Sequence, residues 1–506
     1  LHDALPISTI NGEDVSWDTF ITNIKAQLNS LKALNQTVVL LTSTIASPTT
    51  SRIINDFIKV FPNIKHVVYD SIQSDAALNA YEKYYGIRGL ADYDFSKAST
   101  IVGIDADFLG DWQGGGYEKG YAQSKTPKKN NGKSTMLWHM QFESNMTLTG
   151  ANSDHRVPCT PADQKNILAY LYDLLSESGS STNLSENLKN ATEKAAKQLL
   201  KSGSNSVVVS GIEDETAQSL VFVINKMLKS NAFKPEQPRL IRQANLSNVK
   251  NAFKELINGN ANGFITFGIN PLYTTSYGSE LTETIKNLEF SLSFTSKLDE
   301  TASASKFVAA TPHYLESWGD YEMKLGHYSL AQPTIRPLFD TQQFQDVLLR
   351  LSGKKTKYYD EIKSHWNSNI LNSKSWSKTL HDGYFSKEPE YRSLVKNFSD
   401  LNINSLRKDN PRDMTLVLYT KTGMGDGQQA NNPWLQEFPD PITRVAWDNY
   451  LTISFSDAKS LGLENTNTSN GALNGSYALI DVQGNKLKVP VLIQPGQAKG
   501  TVGLSF

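Results

Sequence analysis

Through the first 310 residues, short runs of β-branched and apolar residues alternate with stretches whose apolar positions recur every three to four residues. TVVLL at 37–41, HVVY at 66–69 and TIVGI at 100–104 read as strands buried on both faces, because each is an unbroken apolar run of strand length. Residues 50–60 (TSRIINDFIKV) and 76–85 carry helical spacing between them. Strand, helix and strand in that order imply a parallel sheet covered by helices on both faces. Residues 164–175 place Ile167, Leu168, Leu171 and Leu175 on one helical face, and 184–200 repeat the pattern through Leu188, Ala191, Ala195 and Leu199. Such stripes belong to a core. SVVVS at 206–210, helical patterns at 217–228 and 248–257, and GFITF at 263–267 make a second doubly wound set, and residues 307–311 return to the first sheet.

Residues 341–400 read as helices, with Trp366, Trp376 and Tyr384 packed between them. From Met414 the texture changes to strands and turns, and Gln483-Gly484-Asn485 marks a hairpin. The expected fold class is therefore α/β: two doubly wound, Rossmann-like domains, one inserted in the other, and a C-terminal β-barrel. The expected boundaries are 9–160 with 304–412 for the first α/β domain and its helical extension, 161–303 for the inserted one, and 413–506 for a truncated barrel. The opening LHDALPIS lies outside the pattern and the last residues stop within a strand pattern, so a piece of a longer chain is expected.

With 506 residues, two to four domains are expected. The charge is balanced, 50 Lys and Arg against 51 Asp and Glu, which gives no basic footprint for nucleic acid. Cys159 stands alone, so disulfides within this chain and sites built from several thiolates are excluded. The eight histidines show no metal-ligand spacing, and no apolar run is long enough to cross a membrane. No G-x-S-x-G elbow offers a hydrolase nucleophile, and Gly132-Lys133-Ser134 lacks the strand and first glycine of a phosphate loop.

Candidate chemistry sits where strands end. GINP, Gly268 to Pro271, follows GFITF directly. Its glycine permits close backbone approach to a diphosphate, Asn270 can donate or accept, and Pro271 ends the pairing; an ordinary strand-ending turn has the same composition. VGIDADFLGDW brings Gly103, Asp105, Asp107 and Trp112 to the end of another strand, where paired carboxylates could serve acid–base chemistry or magnesium, or be solvated loop acids. Residues 143–164 follow with Glu143, Thr147, Thr149, Asp154, Pro161 and Asp163, and Cys159 reads as a packed thiol. Ser71 and Ser74, ahead of a helix, could offer an oxygen to a metal but have the position of caps. The tract 311–340 is aromatic and sharply punctuated, with Trp318, Gly319, Asp320 and Gln332 in a site-forming loop.

HYLESWGD followed by QPTIRP, GINP after a strand, and W-x-x-E-x-P-D-P in NNPWLQEFPDPITRVAWDNYLTIS together resemble the signature of the molybdopterin oxidoreductase superfamily, across roughly residues 9–506. The resemblance implies a pterin-dinucleotide cradle made by Gly103, Asp105, Asp154, Gly268, Asn270, Pro271, Trp318, Gly319, Asp320 and Gln332, and a barrel of the dinucleotide-binding kind. Ser-Asp stands where the family has Ala-Asp, and Pro-Ala-Asp shortens a turn that normally holds a glycine near phosphate. No cysteine occupies the metal-ligand position. In these respects the chain is most similar to the Tat-variant-translocated group, the iron–sulfur subunit of alternative complex III. That likeness implies a cofactor-free scaffold with no catalytic or metal-ligating residue here, and iron–sulfur clusters in a C-terminal half beyond this chain. It implies multihaem cytochrome c and integral membrane quinol-binding subunits as partners, no nucleic acid, and a periplasmic, membrane-attached location reached by a Tat signal. The alternative is the catalytic subunit of a polysulfide or thiosulfate reductase, which would carry molybdopterin guanine dinucleotide.

Overall fold

The computed structural model describes residues 4–130, 133–179, 182–387, 396–408, 413–469, 471 and 473–506. Leu1 to Asp3, Gly132 and the expected boundary residue 412 lie outside them. The chain forms two units, Leu1–Asp75 with Glu236–Tyr391, and Ala76–Pro235 with Arg392–Phe506.

The first unit is built on a seven-stranded sheet in the order Glu13–Asp14, Thr9–Ile10, Phe307–Ala310, Phe290–Thr295, Gly263–Phe267, Val38–Thr42, Ile64–Val68. The last five run parallel, and Thr9–Ile10 joins antiparallel at one side. Alternation along each strand divides the core. Val38, Leu40 and Ile265 face Phe20, Ile24, Leu28 and Phe57 from the helices Trp17–Ala33 and Pro48–Val60, whereas Val39, Leu41 and Phe264 face Val249, Phe253, Leu281 and Ile285. Both faces are therefore dry, which explains why these strands read as unbroken apolar runs. Ser16 and Ser47 cap the first two helices through bonds accepted from the amides of Thr19 and Thr50.

The second unit holds an all-parallel sheet in the order His155–Pro158, Trp138–Glu143, Thr100–Ile104, Ser206–Ser210. Helix Pro161–Ser176 opens with a capping box between Thr160 and Asp163, and with helices Glu186–Ser202 and Glu215–Met227 it covers one face. A five-stranded mixed sheet, Thr415–Tyr419, Thr501–Ser505, Leu451–Ile453, Asn485–Ile493, Tyr477–Val482, belongs to the same unit. Its ladder stays open between the first and last of these strands among the described residues, giving a half-barrel rather than a closed one.

Sheet membership departs from the sequence expectation. GFITF pairs with VVLLT of the first sheet instead of joining SVVVS in a 161–303 domain, and TIVGI pairs with SVVVS instead of with the strands before it. The chain passes between units at Asp75/Ala76, Pro235/Glu236 and Tyr391/Arg392, so 160 and 303 are not unit boundaries, and 413–506 shares a unit with the second α/β sheet. Periodicity identifies a buried strand; it carries no information about which distant strand lies beside it. Trp366 and Trp376 are buried as expected, but Tyr384 begins a short strand, Tyr384–Ser386, and is 65% exposed. Among the described residues no helix is long and apolar enough to cross a membrane.

Candidate functional site

In both parallel sheets the strand order reverses beside a central strand, and the crevice outside the carboxyl ends of the strands at such a point is where open α/β sheets bind ligands. In the second unit this edge lies between Thr100–Ile104 and Ser206–Ser210. Asp105 leaves the strand with φ +56°, a left-handed conformation that aspartate tolerates better than most residues. Its amide bonds to the carbonyl of Phe142, and Gly211 on the neighbouring strand end packs so close that an added Cβ would lie 1.9 Å from the Asp105 carbonyl oxygen. Gly103 is equally constrained, with the Gln141 side chain filling the space above it.

Three carboxyls gather at this edge. Asp105 accepts from Gln164 Nε2 at 3.2 Å, and burial together with the Glu143 and Asp107 charges pushes its carboxyl up to about 7. Asp107 accepts from the Thr149 amide at 2.9 Å and is also raised, chiefly by burial. Glu143 accepts from the Thr147 hydroxyl at 2.5 Å and from Arg156 Nε at 2.5 Å; burial raises it against the opposing pull of Arg156. Arg156 spends its other nitrogens on the carbonyls of Gly496 and Asn145. The Arg156 guanidinium is thus committed to Glu143 and to the backbone. Burial pushes the Cys159 thiol well up, as expected for a packed, unreactive cysteine.

Asp154 does not join this cluster. It accepts from the His139 amide and from Lys125 Nζ, both at 2.7 Å, at the amino end of its strand, roughly 13 Å along the sheet from Glu143. Its carboxyl is held below the ordinary range by those donors against a burial effect of opposite sign.

In the first unit, Gly268 turns the chain at φ +68° beyond Gly263–Phe267, and a Cβ there would lie 3.9 Å from Ser43 Oγ on the adjacent strand end. Asn270 is engaged within the fold: its Oδ1 accepts from the Thr301 hydroxyl at 2.7 Å and amide at 3.2 Å, and its Nδ2 donates to Glu300 at 2.5 Å. Pro271 is buried as the first residue of a helical turn. GINP is therefore pinned to the start of helix Glu300–Ala304. On the other side of the central strand, Asp70 is bound by Thr44, Gln243 and Ala244.

The 311–340 tract holds a turn at Tyr314–Glu316 and an antiparallel pair, Gly319–Lys324 with His327–Ala331. Asp320 is fully buried and accepts from Ser47 Oγ and Thr49 Oγ1, each at 2.5 Å, and from Trp366 Nε1 at 2.9 Å. Trp318 exchanges backbone bonds with the Gln343 side-chain amide, and its ring packs at a tilt against Tyr359. Gly319 starts the strand under the Tyr321 ring, and Gln332 is exposed, donating to the Leu380 carbonyl at 2.8 Å. These four side chains and turns tie strands to helices within the first unit.

Arg156, Gln164, Thr44 and Asp70 were not singled out by sequence. An arginine inside the strand pattern HRVP was the available signal for the first; the others are common loop and helix residues whose role depends on distant neighbours.

No family model matches this chain. Over 94 residues, 18% of this chain and 14% of the relative, it is 37% identical to the menaquinone reductase, molybdopterin-binding-like subunit of Nitratidesulfovibrio vulgaris, so the match spans a small part of that protein. In structure it is similar to acetylene hydratase from Pelobacter acetylenicus, with a TM-score of 0.68 at 12% identity, covering 99% of this chain and 85% of that one. The pterin dinucleotide that the sequence resemblance implies carries a diphosphate. The edge built by Asp105, Asp107 and Glu143 does not fit that anion, because three buried carboxyls crowd it and Arg156 is already paired with Glu143. The described residues also contain no cluster of three or more histidine, cysteine or acidic side chains suited to a metal. The chain thus has the fold of acetylene hydratase throughout, and over one short stretch it is similar in sequence to a molybdopterin-binding-like subunit.

Proposed function

We propose that this chain is a scaffold of molybdopterin oxidoreductase type within a respiratory quinol:electron-acceptor oxidoreductase of the alternative complex III kind, holding no pterin metal of its own. The observation that carries this reading is the buried cluster Asp105, Asp107 and Glu143 at the sheet edge of the second unit. Ionised carboxyls in a water-poor site repel a diphosphate, and neutralising them by protonation leaves nothing there to balance its charge. The same side chains serve the fold: Glu143 and Arg156 join the strand end to the Gly496 turn of the half-barrel. Electrons would pass through iron–sulfur clusters carried by sequence beyond these residues, and the partners would be a multihaem cytochrome c and membrane subunits that bind quinol, on the periplasmic side.

Purifying the intact gene product from native membranes under mild detergent tests the assembly. Co-elution with c-type haem and an integral membrane protein, in a particle that oxidises quinol, is the expected result. A free-standing protein that turns over polysulfide or thiosulfate without partners would contradict it.

A further inference from the structure

In the first unit a second feature of the sheet edge stands apart from the carboxyl cluster. Asp70, just beyond the strand Ile64–Val68, is 5% exposed, and among the described residues its hydrogen-bonding partners include no lysine, arginine or histidine. Its oxygens are met by uncharged donors from two separate segments. Oδ1 accepts from the Thr44 amide at 3.1 Å; Oδ2 accepts from the Thr44 hydroxyl at 2.7 Å and from the amides of Gln243 and Ala244, each at 3.2 Å. The Thr44 hydroxyl also accepts from the Gln243 amide at 2.7 Å, which fixes the two segments against each other. Residues 243–244 lead into the twelve-residue helix Leu246–Ile257, whose positive end adds to the field at the carboxylate. Asp75 takes the Leu246 amide at 2.9 Å, and Asn245 caps the helix through the Asn248 amide.

Converging backbone amides, a hydroxyl and a helix start at the carboxyl end of a parallel sheet are the donor set that binds phosphate-class oxyanions. An ordinary helix cap comes from the residue next to the helix. Here the oxyanion comes from more than 170 residues away in sequence and bridges a strand end to a helix approach.

We propose that Thr44, Gln243 and Ala244 form an oxyanion cradle that the chain occupies with its own Asp70 carboxylate, so that the first unit excludes phosphate-class anions while Asp70 is present and binds them when it is removed. This stands on hydrogen bonds within one unit and does not rest on the respiratory reading, which can fail while the cradle remains.

The test is anion rescue of Asp70→Ala, measured as thermal unfolding of the whole chain in chloride, formate and inorganic phosphate at matched ionic strength. The alanine variant should unfold at a lower temperature than the parent in chloride. Formate and phosphate should raise its Tm saturably, by about 3 °C at ten times Kd, and leave the parent's difference from chloride small and unsaturable. Asp70→Asn, whose amide still fills the cradle, should show no saturable response. If the alanine chain does not fold in chloride, recovery of native circular dichroism on refolding in formate or phosphate supports the cradle, and no recovery in either anion overturns it. The proposal is equally overturned by an alanine variant that responds no more than the parent, by a parent that binds phosphate saturably, or by an asparagine variant that responds as strongly as alanine.

Discussion

Replacing Asp105 by asparagine gives a stability change whose pH dependence follows from the buried cluster. Asparagine is nearly the same size, tolerates φ +56°, and keeps an oxygen for the Gln164 amide. The Asp105 carboxyl has an ordinary value of 3.8 and is pushed up to about 7 in the fold by burial and by the facing Glu143 and Asp107, with Gln164 opposing. A folded value above the unfolded one means that the folded chain holds its proton more tightly. The stabilisation it brings is complete below the unfolded value and is lost as pH rises through the folded one. At about pH 5 the unfolded carboxyl is already mostly ionised and about one unit of the gap is lost, whereas at about pH 8 the full gap of about three units weighs against the fold. At roughly 1.4 kcal/mol per unit, the parent loses about 2–3 kcal/mol between those conditions through this group, and the amide variant loses none of it. Urea denaturation of parent and Asp105→Asn at both pH values, read in the second unit by exchange of amides in the strands Thr100–Ile104 and Ser206–Ser210, supplies the comparison. The stability difference should shift by about 2–3 kcal/mol in favour of asparagine on raising the pH. A shift below about 0.5 kcal/mol would show that Asp105 does not titrate abnormally and would refute the reasoning.

Arg156→Met should cost the second unit about 3 kcal/mol in urea denaturation, because it strands the buried Glu143 carboxylate. Pairing it with Glu143→Gln should recover at least half of that loss, and an Arg156→Met variant within about 0.5 kcal/mol of the parent would dismiss the clasp. Asp320→Asn should destabilise the first unit by about 2–3 kcal/mol, since an amide nitrogen would then face hydroxyl and indole donors from Ser47, Thr49 and Trp366. Calorimetry reads this directly, and an unchanged melting temperature would mean those donors find other acceptors.

The strands of both parallel sheets were legible because burial on two faces leaves an unbroken apolar run, as in VVLLT, TIVGI, SVVVS and GFITF. Their partners were not legible. The register Val38↔Gly263 depends on a contact across most of the unit, and nothing local in GFITF distinguishes it from a neighbour of SVVVS. The half-barrel was visible as alternating residues in YALIDV and KVPVLI, while its open ladder was not. Within the site, Gly103, Asp105 and Gly268 could be found from their places at strand ends, where close approach or positive φ demands them. Asp154 carried the right motif but lies at the amino end of its strand, because the segment it opens runs parallel to its neighbour. Arg156 and Asp70 act through atoms far away in sequence, so their chemistry emerges only once the sheets are assembled.

The most direct measurement of the central claim is molybdenum, tungsten and oxidised-pterin content of the intact protein purified from its native source. A pterin and metal content far below one per chain is what a scaffold with an acidic sheet edge predicts. One molybdenum or tungsten per chain, with two equivalents of pterin fluorescence or one, would contradict it.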